Sequence, residues 1–369
     1  MAVTRHSVLE SRHRALGSPL GEWNGMDVPW EYNQDINDEH LAVRNAAGLF
    51  DVSGLKKVHV VGQDALAVIN HVCTRDMSVV YPGRSTYALI LNEEGCITDD
   101  CIMFHISPNH VVMVHGGGTG MEQLQKSAHD KKVTVNFDDD LHDISLQGPK
   151  SAGFLHQHTT SDIQNLRYFH HVPALLFGHQ CLISRTGYSG ERGYEIFAKA
   201  DDIVPIWDAI LDNGKTVGIL PCSFNCIDAI RVEAALLFYP YDMTEENTPW
   251  EVGLGFAVSK TKAASYRGKE AVLQAEGKEK IKTFGIIAEC NTAVDVGADV
   301  LQDGKKVGVI TAPVFSPVIK KSIAMAQLIP DLAKPGIRVE IKGKTVLCKA
   351  TTSEIPFLDP SKKKRTTLI

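Results

Sequence analysis

"LNEEGCITDDCIMF" (residues 91–104) sets two adjacent acids, Asp99 and Asp100, at the head of a β-prone run. "NEEG" is turn chemistry, because Gly and Asn accept the backbone angles of a reversal. "CIMF" is apolar and carries the residue types favoured in strands. Side chains alternate along a strand, so one of two neighbouring carboxylates is directed at the interior or at a cleft. A buried carboxylate without a partner is costly. That acid is therefore paired, or it does chemistry. Working outward, "STYALIL" (85–91) and "HVVMVH" (110–115) continue the pattern as antiparallel strands joined by turns at 93–95 and 107–109. A helix "MEQLQKSAHDK" (121–131) and strands "VTVNF" (133–137) and "HDISLQG" (142–148) follow. This alternation describes an α+β layer, not a doubly wound sheet. Upstream, "DINDEHLAVRNAAGLFDVS" (35–53) reads as a helix capped by Asp35 or Asn37. From about residue 275 short strands and frequent turns signal a small β-barrel or sandwich.

With 369 residues, 44% hydrophobic and 22% charged, the chain is an ordinary globular protein of more than one domain. A net charge of −6 argues against a binder held to nucleic acid by phosphate contacts. No apolar run approaches the roughly 18 residues that span a bilayer. The basic start lacks an apolar segment and includes Glu10, which speaks against a targeting peptide. Eight cysteines follow no zinc spacing, so no metal is expected and a reducing cytoplasm is the default location. "HGGGTG" (115–120) lacks both dinucleotide and Walker spacing and reads as a flexible loop beside a pocket. "DPSKKKRTTLI" (359–369) reads as a solvated tail.

Eight segments, in order, resemble the aminomethyltransferase family: the glycine cleavage T-protein and its tetrahydrofolate-dependent relatives. They are "HLAVRNAAGLFDVS" (40–53), "GCITDD" (95–100), "SLQGPKS" (145–151) and "SRTGYSGERGYEIF" (184–197). "IRVEAALLFYPYDM" (230–243), "TPWEVGLGFAV" (248–258), "YRGKEAV" (266–272) and "VGVITAPVFSPVIKKSIAMA" (307–326) complete the set. The resemblance implies an α+β fold of two intertwined folate-binding subdomains (residues 1–274) and a C-terminal β-barrel (275–369), with tetrahydrofolate in the central cleft. It implies that Asp100 is the catalytic carboxylate, placed to stabilise the positive charge that develops as folate N5 attacks a one-carbon group. Asp99 is then expected to face away, as a turn or surface acid. Glu195 resembles the pterin-binding acid, and Tyr188, Tyr87 and Tyr168 resemble aromatic residues lining the folate. Arg231 and Glu233 are expected to be structural.

Departures from the T-protein pattern cluster around the implied pocket. "FDVSGLK" (50–56) stands where T-proteins carry "FDVSHMG", "MVHGGGTG" (113–120) stands for "VVNA", and Ile227 replaces an arginine of "ARD". Loss of a fixed cation removes charge recognition. The resemblance thus implies the demethylase branch, whose members act on sulfonium compounds such as dimethylsulfoniopropionate or on methoxylated aromatics. The expected reaction moves a methyl group from a small O-, S- or N-methylated compound to N5 of tetrahydrofolate. His115, Ile227, His170, Tyr241 and Trp30 are candidate pocket residues. The alternative is a T-protein forming 5,10-methylenetetrahydrofolate, with a lipoyl carrier protein as its partner.

Overall fold

The computed structural model describes residues 4–367. The chain enters through helix α1 (Glu10–Ala15) and a hairpin of β1 (Gly21–Trp23) and β2 (Met26–Val28). Helix α2 (Ile36–Asn45), strands β3 (Ala47–Asp51) and β4 (Lys56–Val61) and helix α3 (Ala65–Val72) follow. Strands β5 (Ser85–Leu91), β6 (Ile97–Ser107) and β7 (His110–His115) lead into α4 (Gly120–Ala128). Next come β8 (Thr134–Phe137), β9 (Leu141–Gln147), α5 (Ser151–Gln157), β10 (His171–Leu176), β11 (His179–Ser184) and β12 (Gly193–Lys199). Helix α6 (Ala200–Gly214), β13 (Ile219–Pro221) and α7 (Phe224–Glu233) complete the first part.

These strands make two sheets, ordered β5-β6-β7-β4-β8 and β10-β11-β12-β9-β3-β13. The chain interleaves them: β3 belongs to the second sheet, β4–β8 to the first, and β9–β13 return to the second. Pairing is antiparallel except between β13 and β3. After α8 (Lys269–Ala275), strands β14 (Lys282–Ala288), β15 (Asp299–Gln302), β16 (Lys305–Ser316), β17 (Lys321–Leu328), β18 (Arg338–Lys342) and β19 (Leu347–Ser353) close a barrel. The α+β expectation with a C-terminal barrel is met.

Each sheet has one face on helices and one on the other sheet. On β6 and β7, Cys101, Met103, Val111 and Met113 pack toward α3 and α4 with Val68, Ile69 and Leu124. Phe104, Val112 and Val114, on the opposite face, meet Phe197 from the second sheet. The second sheet buries Ile144, Leu146, Tyr194 and Ile196 against Trp207 and Ile210 of α6. Burying a large apolar side chain stabilises by about 1.5–3 kcal/mol, so these three interfaces hold the two sheets and their helices together.

Arg231 and Glu233 are structural, as expected. Arg231 pairs with Asp242 and Asp228, and Glu233 with Arg44 and His40, all but Asp228 being buried. The tail differs from expectation. Residues 363–366 form a short helix, and Arg185 donates to the carbonyls of Arg365 and Thr367 at 3.0 and 2.6 Å. Lys364 pairs with Glu191 at 2.8 Å. A buried guanidinium requires acceptors, and the segment read as solvated supplies them; Leu368 and Ile369 lie outside the described residues. Among the described residues no helix is long and apolar enough to cross a membrane.

Candidate active site

Strand β7 ends at His115, opposite Cys101, so Asp100 lies one residue past the paired region and is open to the cleft between the sheets. A β-bulge interrupts the β5–β6 register just before it, where Ile90 pairs Asp99 but Leu91 pairs Ile97. Bulges re-aim neighbouring side chains. Tyr87, diagonally across on β5, donates its hydroxyl to Asp100 Oδ2 at 3.0 Å. Desolvation, then the charge of Asp99, pushes the Asp100 carboxyl up to about 7. A carboxyl poised there can both give and take a proton near neutral pH. The Tyr87 ring stacks on Phe256, with centroids 6.1 Å apart.

The second polar centre is Glu195 on β12. It is buried, Thr186 bonds its Oε2, and burial pushes its carboxyl up to about 7. Tyr168 lies near enough to sense its charge. Behind it Asp143 is fully buried with neither oxygen hydrogen-bonded among the described residues, and burial, then Glu195, pushes it well up. The loop 185–192 ties the two centres together. Thr186 holds Glu195, while two residues on the Tyr188 phenol is raised by burial and also feels Asp100. Gln147 pins this loop by bonding Thr186 O at 3.2 Å and Ser189 Oγ at 2.7 Å. A Cβ on Gly187 or Gly193 would lie 2.1 Å from the Gln147 amide, which explains the glycines of "TGYSGERG".

The remaining wall is apolar. Ile227 packs with Phe50, Phe224 and Ile230, and Trp23, Trp30 and Tyr188 cover that cluster. Trp23 and Trp30 flank Phe224, at 4.7 and 5.1 Å between ring centroids. No side chain at 54 separates Trp23 from the backbone there, because that residue is glycine.

The structure thus brings Asp100, Tyr87 and Tyr188 into one cluster, with Glu195 and Tyr168 joined to it through the loop. Five expectations change. His115 does not line the cleft: it shares the α4 face of β7 with Met113 and is buried. Asp99 is not a surface acid. It is fully buried on that same face, bonded to His115 Nδ1 and Gly120 N, each at 2.8 Å. The "HGGG" loop packs tightly, for a Cβ on Gly118 would lie 2.3 Å from Thr98 O. His170 bonds the Tyr81 hydroxyl at 2.7 Å in a separate surface cavity with Asn165 and Arg167. Tyr241 is 66% exposed, on the outer side of Phe238. Trp23 and Tyr239 were not foreseen. The first lies on a three-residue strand, too short for a periodicity signal; the phenol of the second, pushed up to about 12 chiefly by burial, senses both Asp99 and Asp100.

Glycine cleavage T-protein sequence patterns match both parts of the chain: the GCVT N-terminal domain over residues 9–262 and the T-protein C-terminal barrel domain over 280–359. The chain belongs to the glycine cleavage T-protein family. As a T-protein family member it is a one-carbon transferase, and the family uses tetrahydrofolate as cosubstrate. The heme-dependent oxidative N-demethylase gamma subunit of Ectopseudomonas mendocina is 47% identical over 371 residues, 98% of each chain. The aminomethyltransferases of Streptomyces avermitilis and Bacillus subtilis are each 33% identical. They cover 92% and 96% of this chain and 94% and 99% of their own. The solved glycine cleavage system aminomethyltransferase T from Bartonella henselae superposes with a TM-score of 0.88 over 96% of this chain and 98% of its own. At 24% identity that likeness speaks to the fold.

Proposed function

We propose that this chain is the folate-dependent subunit of an N-demethylating system, receiving the carbon of an oxidised N-methyl group and forming 5,10-methylenetetrahydrofolate. The observation that carries this reading is the 47% identity, end to end, with the gamma subunit of an oxidative N-demethylase. Oxidative N-demethylation leaves the carbon at the oxidation level of formaldehyde, which differs from the intact methyl transfer expected from the sequence. Condensation balances as formaldehyde plus tetrahydrofolate giving the methylene product plus water.

The residues present fit a pterin. Glu195 has a single side-chain donor among the described residues and is buried, so paired N–H groups of the ligand would complete it. Tyr188, Tyr87 and Tyr168 offer flat faces. When bound, tetrahydrofolate supplies two amines, N5 and N10, within reach of the same carbon. Asp100 Oδ2 is held by Tyr87, which orients the carboxyl to exchange protons in the cleft. Its proton can pass to the oxygen that leaves as water, and its anion can take the proton the amine gives up. Ile227 and the Trp23–Trp30 wall exclude water from that side without offering a charge.

The test incubates the purified chain with tetrahydrofolate and a panel: formaldehyde, an N-methylated amine with its oxidising partner, a sulfonium, a methoxybenzoate and an aminomethyl-lipoyl carrier protein. Folate products are read by mass, with Asp100→Asn as control. 5,10-Methylenetetrahydrofolate above the uncatalysed rate from the N-methyl route supports the reading. 5-Methyltetrahydrofolate would restore intact methyl transfer. Product from the lipoyl carrier alone would make the chain an aminomethyltransferase, as its 33%-identical relatives are named.

A further inference from the structure

Asp99 sits on the far side of β6 from Asp100, yet it is bound more completely than any cap requires. Its Oδ2 accepts from His115 Nδ1 at 2.8 Å and from the backbone N–H of Gly120, the first residue of nine-residue α4, at 2.8 Å. Its Oδ1 accepts the N–H of Asp100 itself at 2.9 Å. Three N–H donors thus surround one carboxylate, one of them at the start of a helix. The glycine loop makes the cradle possible. A Cβ on Gly118 would lie 2.4 Å from Asp99 Cγ, and one on Gly120 would lie 2.8 Å from Asp99 Oδ2.

His115 Nε2 is buried and has no partner among the described residues, so the Nδ1 contact to Asp99 is the ring's one polar anchor there. Asp99 acts on Asp100 as a neighbouring negative charge that raises its carboxyl. Other titratable groups that face Asp99 are Asp100 and Cys101 on β6 and Tyr239 from the segment after α7, while Tyr87 on β5 and Tyr188 from the 185–192 loop face Asp100. Glu122 and Lys126 of α4 pair with each other on its outer face.

We propose that Asp99, clamped by His115 and the start of α4, is a positioning residue that fixes Asp100 on the cleft side of the strand and supplies the fixed negative charge that keeps a proton available on it. The proposal deepens the transferase reading, in which Asp100 exchanges that proton. "HGGGTG" is then a carboxylate cradle serving the reaction from behind the sheet.

The test is a carbon-13 NMR titration of the Asp100 carboxyl in the full chain, assigned by its loss in Asp100→Asn, alongside the pH profile of kcat. Wild type is expected to titrate near 7. Asp99→Asn is expected to lower that midpoint by a unit or more. His115→Leu should move it the same way and cut kcat at least tenfold with KM for tetrahydrofolate little changed. His115→Asn, whose amide can still donate to Asp99, should restore both. If Asp99→Asn and His115→Leu lower only Tm, leaving the Asp100 midpoint and the pH profile in place, the pair is a structural clamp and the proposal is overturned. Absence of any folate product from wild type would sink the transferase reading instead, and the NMR titration would still decide this one.

Discussion

Trp23 fills the space that a side chain at position 54 would need: a Cβ on Gly54 would sit 2.5 Å from Trp23 Cε3 and 2.8 Å from Cζ3. The ring also packs on Phe224, so it cannot retreat without opening that contact. Gly54→His, which restores the residue of the T-protein-like pattern, is expected to displace the β1–β2 hairpin and destabilise the chain by about 1–3 kcal/mol, the usual range for overpacking. Thermal unfolding and tryptophan fluorescence would register it. An unchanged Tm would mean that the hairpin is free to move.

Ile227→Arg makes a complementary case. The side chain is 5% exposed among apolar neighbours, and a cation there has no acceptor ready. The substitution is expected to cost roughly 3 kcal/mol or more, in the range of unpaired buried charge. It should confer no turnover with an aminomethyl-lipoyl carrier. Denaturant titration and product analysis read the two parts separately, and a stable, carrier-active variant would refute both.

Glu195→Gln replaces an acceptor-only group by one that also donates. Losing a charge-assisted bond costs about 1.5–3 kcal/mol, so tetrahydrofolate should bind roughly 10- to 150-fold more weakly. Isothermal calorimetry gives the value directly. An unaltered Kd would remove Glu195 from the ligand site.

Stability should carry a pH signature from the same carboxyls. Asp100 and Glu195 lie at about 7 in the folded chain against ordinary values of 3.8 and 4.5. Below about 4 both states are protonated and these groups contribute nothing. Between there and 7 the folded chain holds protons that the unfolded chain has released, so their contribution to stability falls as pH rises. Asp100→Asn and Glu195→Gln should therefore raise Tm at pH 8 while leaving it nearly unchanged at pH 4. Equal effects at both values would contradict the raised carboxyls.

The acid pair shows how far the sequence could be read. Strand alternation required one of Asp99 and Asp100 to face inward, and the family resemblance named Asp100. Alternation does not say what covers the other face, and here it is α4, so Asp99 is buried as well. The same parity carried His115 away from the cleft, a consequence of where β7 pairs β6. Tyr87 was named by the resemblance, and the structure places it against Asp100. Trp23 was not, because its strand is three residues long and its partner is a glycine 31 positions away, a contact that leaves no local trace.

The hold of residues 365–367 on Arg185 has a bearing on how the chain comes into being. That side chain is 1% exposed, and two of its acceptors lie 180 and 182 residues downstream, beyond the whole barrel. While the ribosome is still producing the barrel, the β11–β12 region already exists with this guanidinium held by Leu166 O but short of its other two acceptors. A nascent chain that stops before them is expected to show a looser, more protease-sensitive Arg185 loop.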